Sequence, residues 1–147
     1  GWSKFADAST VQLRRAVRAA AADEKVQEIL LVLDTPGGQA AGTQALADDV
    51  AAAAARKPVH AYIDDLCASA GFWVASQAKS ISANRSAEIG SIGTYAVVED
   101  SSGMYEAAGV EVHVVSTGPM KGAFAPGAPI KPEQLQKLQD EVNTGRA

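Results

Sequence analysis

The chain has 147 residues, 47% of them hydrophobic, which is enough for one core and short for two, so a single α/β domain over 1–147, itself part of a longer protein, is the expectation. Thirteen Lys and Arg against seventeen Asp and Glu give a formal net charge of -4, spread along the chain with no basic stripe that could follow a phosphate backbone, which argues against nucleic acid as a partner. The one cysteine, Cys67, cannot close an internal disulfide and lacks zinc-site spacing, so it reads as a small buried residue and no metal site is expected. The longest apolar runs, Ile29–Leu33 and Val50–Ala55, fall far short of the ~20 residues that cross a bilayer. With no signal peptide evident, membrane association is expected only through segments outside this sequence, and the compartment stays open.

In chain order, Ser9 or Thr10 can cap a first helix, in which Val11, Leu13, Ala16, Val17, Ala20 and Ala21 recur at helical spacing to about Ala22. Val26 to Asp34, "VQEILLVLD", is a continuous aliphatic run closed by Thr35-Pro36-Gly37-Gly38, the pattern of a parallel strand buried on both faces. An alanine-rich helix follows from about Ala41 to Arg56, with Leu46 and Val50 at i, i+4, and Pro58 ends it. Val59 to Ile63 reads as a second strand, and "DDLCASAGFW" leads from it into an apolar helix from about Ala70 to Ala78. Ile81-Ser82-Ala83 is a third strand, after which the glycine-bounded "IGSIGT" leads into Tyr95 to Val98. Ser101 to Ala108 reads as a helix stopped by Gly109, Val110 to Val115 alternates like a strand, and residues 116–129 form a Gly/Pro-rich loop. A last helix runs from Pro132 to Val142, with proline at an early position. Strand and helix in alternation imply right-handed crossovers and a mainly parallel sheet.

In open α/β sheets, sites gather beyond the carboxyl ends of the strands. Three segments are expected there: Thr35 to Gly38, Cys67 to Gly71, and Gly118 to Gly122. The two-glycine turn can turn backbone N–H groups outward with no Cβ in the way, as an oxyanion hole needs, or it can be a plain turn. By itself Ser69 reads first as a helix N-cap; as a nucleophile it needs a base within hydrogen-bond reach. His60 and His113 both lie inside strand patterns and read as ordinary strand histidines. Lysine is the other base, because a desolvated lysine gives up its proton more readily. Lys121 sits in "STGPMKGAFAPG", poor in charge and rich in glycine and proline, and Ser91, between glycines in "IGSIGT", could orient its amine; a solvated lysine and a turn serine are the plainer readings.

With "ADEKVQEILLVLDTPGGQAAG", "DDLCASAGFWVASQAKSISANRSAEIGSIGTY" and "YEAAGVEVHVVSTGPMKGAFAPGAP" in that order, residues from about 11 to 129 resemble serine peptidases of the signal peptide peptidase A type, with tailed-phage capsid-maturation proteases as close relatives. The resemblance implies a Clp/crotonase-like fold, a ββα superhelix with a mainly parallel sheet and flanking helices. It implies Ser69 as nucleophile, Lys121 as general base, Ser91 as the hydroxyl that orients the lysine, and the amides of Gly38 and Ala70 as the oxyanion hole, with Gly37 a nearby alternative. Gly37, Phe72 and Trp73 are then expected to line the substrate site, which takes a peptide or protein and needs no cofactor. A homo-oligomer is a further implication. A crotonase-like acyl-CoA enzyme and a catalytically silent assembly module on the same fold are the rival readings.

Overall fold

The computed structural model describes residues 9–145, in two compact units that divide after Ile92. The first unit carries α1 (Thr10–Ala22), β1 (Ile29–Thr35), α2 (Thr43–Ala54), β2 (Val59–Ala68), α3 (Ala70–Ala75), β3 (Ser80–Ala83) and β4 (Glu88–Gly90). Every pairing in its sheet is parallel: β1 lies along one edge of β2, and β3 and β4 pair with successive stretches of β2. Two adjacent parallel strands need a crossover between them, and α2 supplies it between β1 and β2. The expected α/β class, with a mainly parallel sheet and flanking helices, is what the chain forms.

Alternation along the strands decides where the core sits. Ile29 of β1 and Val59 of β2 pair in register and join Val17 and Ala21 of α1, Leu46, Val50 and Ala53 of α2, and Val74 of α3 in one buried cluster. A second cluster, Ala61, Ile63 and Cys67 of β2 with Ala75 of α3, continues it toward the carboxyl end of the sheet. The small side chains of α2 let it lie close against the strands, leaving Val50 and Val59 with no exposed surface. On the opposite face Leu30 is 62% exposed and Val32 43%. Burial of β1 on both faces, expected from its aliphatic run, is therefore not found, because all three helices pack on the Ile29 side.

The termini of several elements also differ from the sequence reading. β1 starts at Ile29 rather than Val26, and α3 ends at Ala75 rather than Ala78. β2 runs on to Ala68, five residues beyond Ile63, because β4 pairs with Leu66, Cys67 and Ala68 and gives that stretch a hydrogen-bonding neighbour. The register against β1 slips on the way: Leu33 faces Ile63 but Thr35 faces Cys67, so β2 spends four residues where β1 spends two. The excess lies around Asp64 and Asp65, both exposed, as befits an irregularity bulging from the ladder.

In the second unit, α4 (Ser102–Ala107) and α5 (Pro132–Thr144) are the regular elements among the described residues. Asp100 ties the unit together by accepting from the Ser102 amide and hydroxyl and from the Ile130 amide, bonds that hold its carboxyl below the usual range, the Ser102 hydroxyl foremost. Pro132 opens α5, and the Gln134 side chain accepts from the Lys131 amide in its first turn. The strand expected over Val110 to Val115 is not formed. Alternating β-branched residues favour extended backbone, but a strand exists only beside a partner that takes its hydrogen bonds, and this stretch has none among the described residues. No helix among the described residues is long and apolar enough to cross a membrane.

One ion cluster joins α1 to α2. Arg14 and Arg18 donate to the two carboxylate oxygens of Asp49 at 2.7 and 2.9 Å, with the Asp49 side chain 13% exposed. Burial alone would raise the Asp49 pKa, but the two arginine hydrogen bonds and charges outweigh it and hold the carboxyl low. A depressed carboxyl pKa stabilises the fold above the unfolded value of about 3.9, and that stabilisation is lost as pH falls through the lower folded value. Asp49→Asn is therefore expected to lower unfolding stability at neutral pH, with the gap from the parent closing only below about pH 4, as urea titrations at several pH values would show. In the core, Ile63→Ala is expected to cost about 2–5 kcal/mol in the same measurement, whereas Leu30→Ala, on the open face, stays within about 0.5 kcal/mol.

Candidate active site

Ser69 stands where β2 turns into α3. Its backbone lies at φ 51° and ψ -123°, left-handed territory that a residue with a Cβ enters at a cost of about 1–3 kcal/mol. Two bonds hold it there: the Ser69 amide donates to the Gly90 carbonyl of β4 at 2.9 Å, and the Trp73 amide donates to the Ser69 carbonyl at 3.1 Å, closing the first turn of α3. Ser69 thus occupies the N-cap position, yet its side chain makes no capping bond, so the hydroxyl is not committed to the helix. A strained serine between strand and helix, with an uncommitted hydroxyl, is the arrangement a nucleophile needs.

The Thr35 to Gly38 turn packs directly against it. Gly37 has φ +99°, and a Cβ on it would lie 2.8 Å from both the Ala68 carbonyl oxygen and Ser69 Cβ, and 3.1 Å from the Ala70 nitrogen. Only glycine fits there, in both torsion and space. Gly38 is the reverse case, with no heavy atom within 4 Å of its Cβ position. Gly71, buried at the start of α3, would put a Cβ 2.5 Å from Thr35 Cγ2. Thr35 Oγ1 accepts from the Gly37 amide at 3.1 Å.

The other expected site residues fall as follows. Ser91 is exposed, at φ 52°, directly after the glycine whose carbonyl binds the Ser69 amide. Phe72 packs on the second core cluster, while Trp73 is half-buried. Cys67 is fully buried, as its sequence context suggested, and burial pushes its thiol pKa up. Lys121 belongs to the second unit. It is exposed in a run of tight turns, where its amide donates to the Gly118 carbonyl at 3.0 Å and the Ala123 amide to the Met120 carbonyl at 3.1 Å. Gly122, at φ +83°, lets this loop close over Val114, whose Cγ1 would stand 2.7 Å from a Cβ there.

His60, the histidine of the first unit, does not compete for the role of base at Ser69: it lies at the opposite end of β2, its Nδ1 2.7 Å from Ser80 Oγ and its Nε2 3.7 Å from Glu28. His113, expected in a strand, is exposed in the second unit 3.5 Å from Glu111. Two participants were not singled out from the sequence, the Gly90 carbonyl and the Thr35 hydroxyl. A threonine immediately before the Pro-Gly-Gly turn was the available signal for one; the other is a main-chain contact with no side-chain signature.

Residues 51–147, well over half of the chain and including Ser69, Ser91 and Lys121, match peptidase family S49. The chain belongs to this family. It is 33% identical over 130 residues to Protease 4 of Salmonella typhi, covering 88% of this chain and 21% of that protein. It is equally 33% identical over 130 residues to Capsid assembly protease C of Escherichia phage lambda, covering 88% of this chain and 30% of that one. Serine protease SPPA, chloroplastic, of Arabidopsis thaliana is 30% identical over 131 residues, 87% of this chain and 19% of the relative. The chain therefore spans under a third of the length of these three. Among solved structures, ThnE from S. clavuligerus aligns with 74% of this chain and 49% of its own at 22% identity and a TM-score of 0.46, a likeness too loose to bear on fold or site.

The glycine geometry has a direct test. Gly37→Ala is expected to destabilise the protein by more than about 1 kcal/mol, through both its torsion and its contact with Ser69, whereas Gly38→Ala stays within about 0.5 kcal/mol. Chemical denaturation of the two variants beside the parent measures the contrast.

Proposed function

We propose that this chain carries the catalytic residues of a serine peptidase that hydrolyses peptide bonds through an acyl-enzyme. The observation that carries the reading is Ser69 itself, strained at the strand-to-helix turn, free of any capping bond, with the Gly37 turn packed on its Cβ. Membership of peptidase family S49 supports the reaction class. Lys121, matched by its position in the motif order, is the base.

In this mechanism the Ser69 hydroxyl attacks the scissile carbonyl carbon and its proton passes to the neutral Lys121 amine. Ser91 orients that amine. The negative charge on the carbonyl oxygen is met by the Gly38 and Ala70 amides. Collapse of the tetrahedral intermediate breaks the C–N bond, and the lysine hands its proton to the leaving amine. Water then attacks the acyl-Ser69 ester, giving a proton to Lys121, and the second collapse releases the acid as Ser69 recovers its proton. Trp73 and Phe72, just beyond the nucleophile, contribute to the substrate site, and an extended peptide is bound near the Gly37-Gly38 turn by main-chain pairing. The substrates are signal peptide remnants or other peptides and proteins; that relatives are named a serine protease and a capsid assembly protease supports a peptide or protein substrate. A homo-oligomer completes the proposal.

Incubation with a fluorophosphonate, followed by intact-mass and peptide-level mass spectrometry, is expected to find one adduct on Ser69 in the parent and none in Ser69→Ala. Lys121→Ala is expected to lower peptide turnover by several orders of magnitude while the fold is retained. Absence of the Ser69 adduct across a range of pH, or turnover of acyl-CoA thioesters that survives Ser69→Ala, would overturn the reading.

A further inference from the structure

We infer that Thr35 is a positioning residue for this reaction, a two-sided strut whose hydroxyl sets the peptide plane of the oxyanion donor and whose methyl seats the helix start that carries Ser69. The inference rests on the reading of Ser69 as nucleophile and of the Gly38 amide as oxyanion donor.

The hydroxyl half follows from peptide geometry. The Gly37 carbonyl and the Gly38 N–H belong to one planar unit and point in opposite directions. Both flanking residues are glycine, and nothing stands within 4 Å of the Gly38 Cβ position, so neither residue has a side chain that fixes the orientation of that unit. Rotated, it would present a carbonyl oxygen where the oxyanion donor is needed. Thr35 Oγ1 stands against this: it accepts the Gly37 amide at 3.1 Å, which leaves its own proton free, and the Gly37 carbonyl oxygen lies 3.5 Å away to receive it. One hydroxyl thereby binds the Gly37 amide and makes a longer contact with the Gly37 carbonyl.

The methyl half follows from packing. Thr35 closes β1 in register with the fully buried Cys67, and its Cγ2 fills the space beside Gly71, where an added Cβ would come within 2.5 Å of it. Gly71 follows Ala70, the second proposed donor, and Ser69. The methyl therefore limits how near α3 can approach the turn, and the close packing of Gly37 on Ser69 adds a second limit. A β-branched side chain with a hydroxyl is the one residue type that performs both tasks, and its stiff χ1 keeps the two branches from exchanging places.

Four variants separate the two halves. Thr35→Val keeps the shape and removes the hydroxyl; the expected result is a fall in kcat of about a hundredfold on a peptide substrate with KM little changed, the signature of a lost transition-state donor. Thr35→Ser keeps the hydroxyl and loses the methyl, and is expected to fall about threefold below the parent in kcat, far less than Thr35→Val. Gly71→Ala is expected to lose kcat through its clash with Cγ2, and Thr35→Ser in the Gly71→Ala background, lacking that carbon, is expected to recover at least tenfold of it. The proposal is overturned if folded Thr35→Val matches the parent in kcat, if Thr35→Ser loses as much as Thr35→Val, or if Thr35→Ser fails to restore Gly71→Ala. Should Thr35→Val not fold, as thermal unfolding would report, the Gly71 pair decides. A parent protein without Ser69-dependent peptide turnover would instead sink the peptidase reading itself, which keeps the two failures apart.

Discussion

The first unit is organised around the contact between Gly37 and Ser69. A left-handed glycine sits so close to the next strand's end that a single added carbon would overlap Ser69 Cβ and the Ala68 carbonyl. That approach requires β1 and β2 to end at the same edge of the sheet, which parallel pairing guarantees, and it requires their ends to be level. The register slip between Leu33 and Thr35 makes them so: β2 carries extra residues at Asp64 and Asp65, and Thr35 comes to face Cys67. Without that excess the turn after β1 would meet a different part of β2.

The strain at Ser69 is sustained by what surrounds it. β4 exists as three residues whose last, Gly90, takes the Ser69 amide, and the same short strand gives β2 the pairing that carries it on to Ala68. Below, Cys67 is fully buried between Thr35 and Ile89, its register partners on either side. Sterically demanding backbone persists where neighbours over-determine it, and here a strand on each side, a helix start and a glycine turn converge on one residue. Gly90 in turn delivers Ser91, so the two serines of the proposed site share one anchor.

Much of this was legible in the residues. The helix from Thr10 to Ala22 and the alternation of strand and helix follow from hydrophobic period and from Gly/Pro punctuation, local properties that survive in the fold. Motif order was equally legible, and the match to peptidase family S49, over residues 51–147, takes in its second and third segments. What was not legible depended on partners. The stretch from Val110 to Val115 has strand composition and no strand, because composition sets a backbone preference whereas a ladder needs a neighbour. The length of β2 was hidden for the same reason, since nothing in "DDLCA" announces that Glu88 to Gly90 will pair with it.

The sequence by itself determined the parallel α/β class, the two-glycine turn, the buried Cys67 and the serine at the strand-to-helix junction, since each follows from residue type and near neighbours. Tertiary structure decided that Ser69 is strained and uncapped, that Gly37 and not Gly38 is the glycine no other residue could replace, and that Thr35 reaches both Gly37 and Gly71. Those outcomes depend on how segments far apart in the chain meet, which is set by strand register and side-chain packing and which no local pattern records.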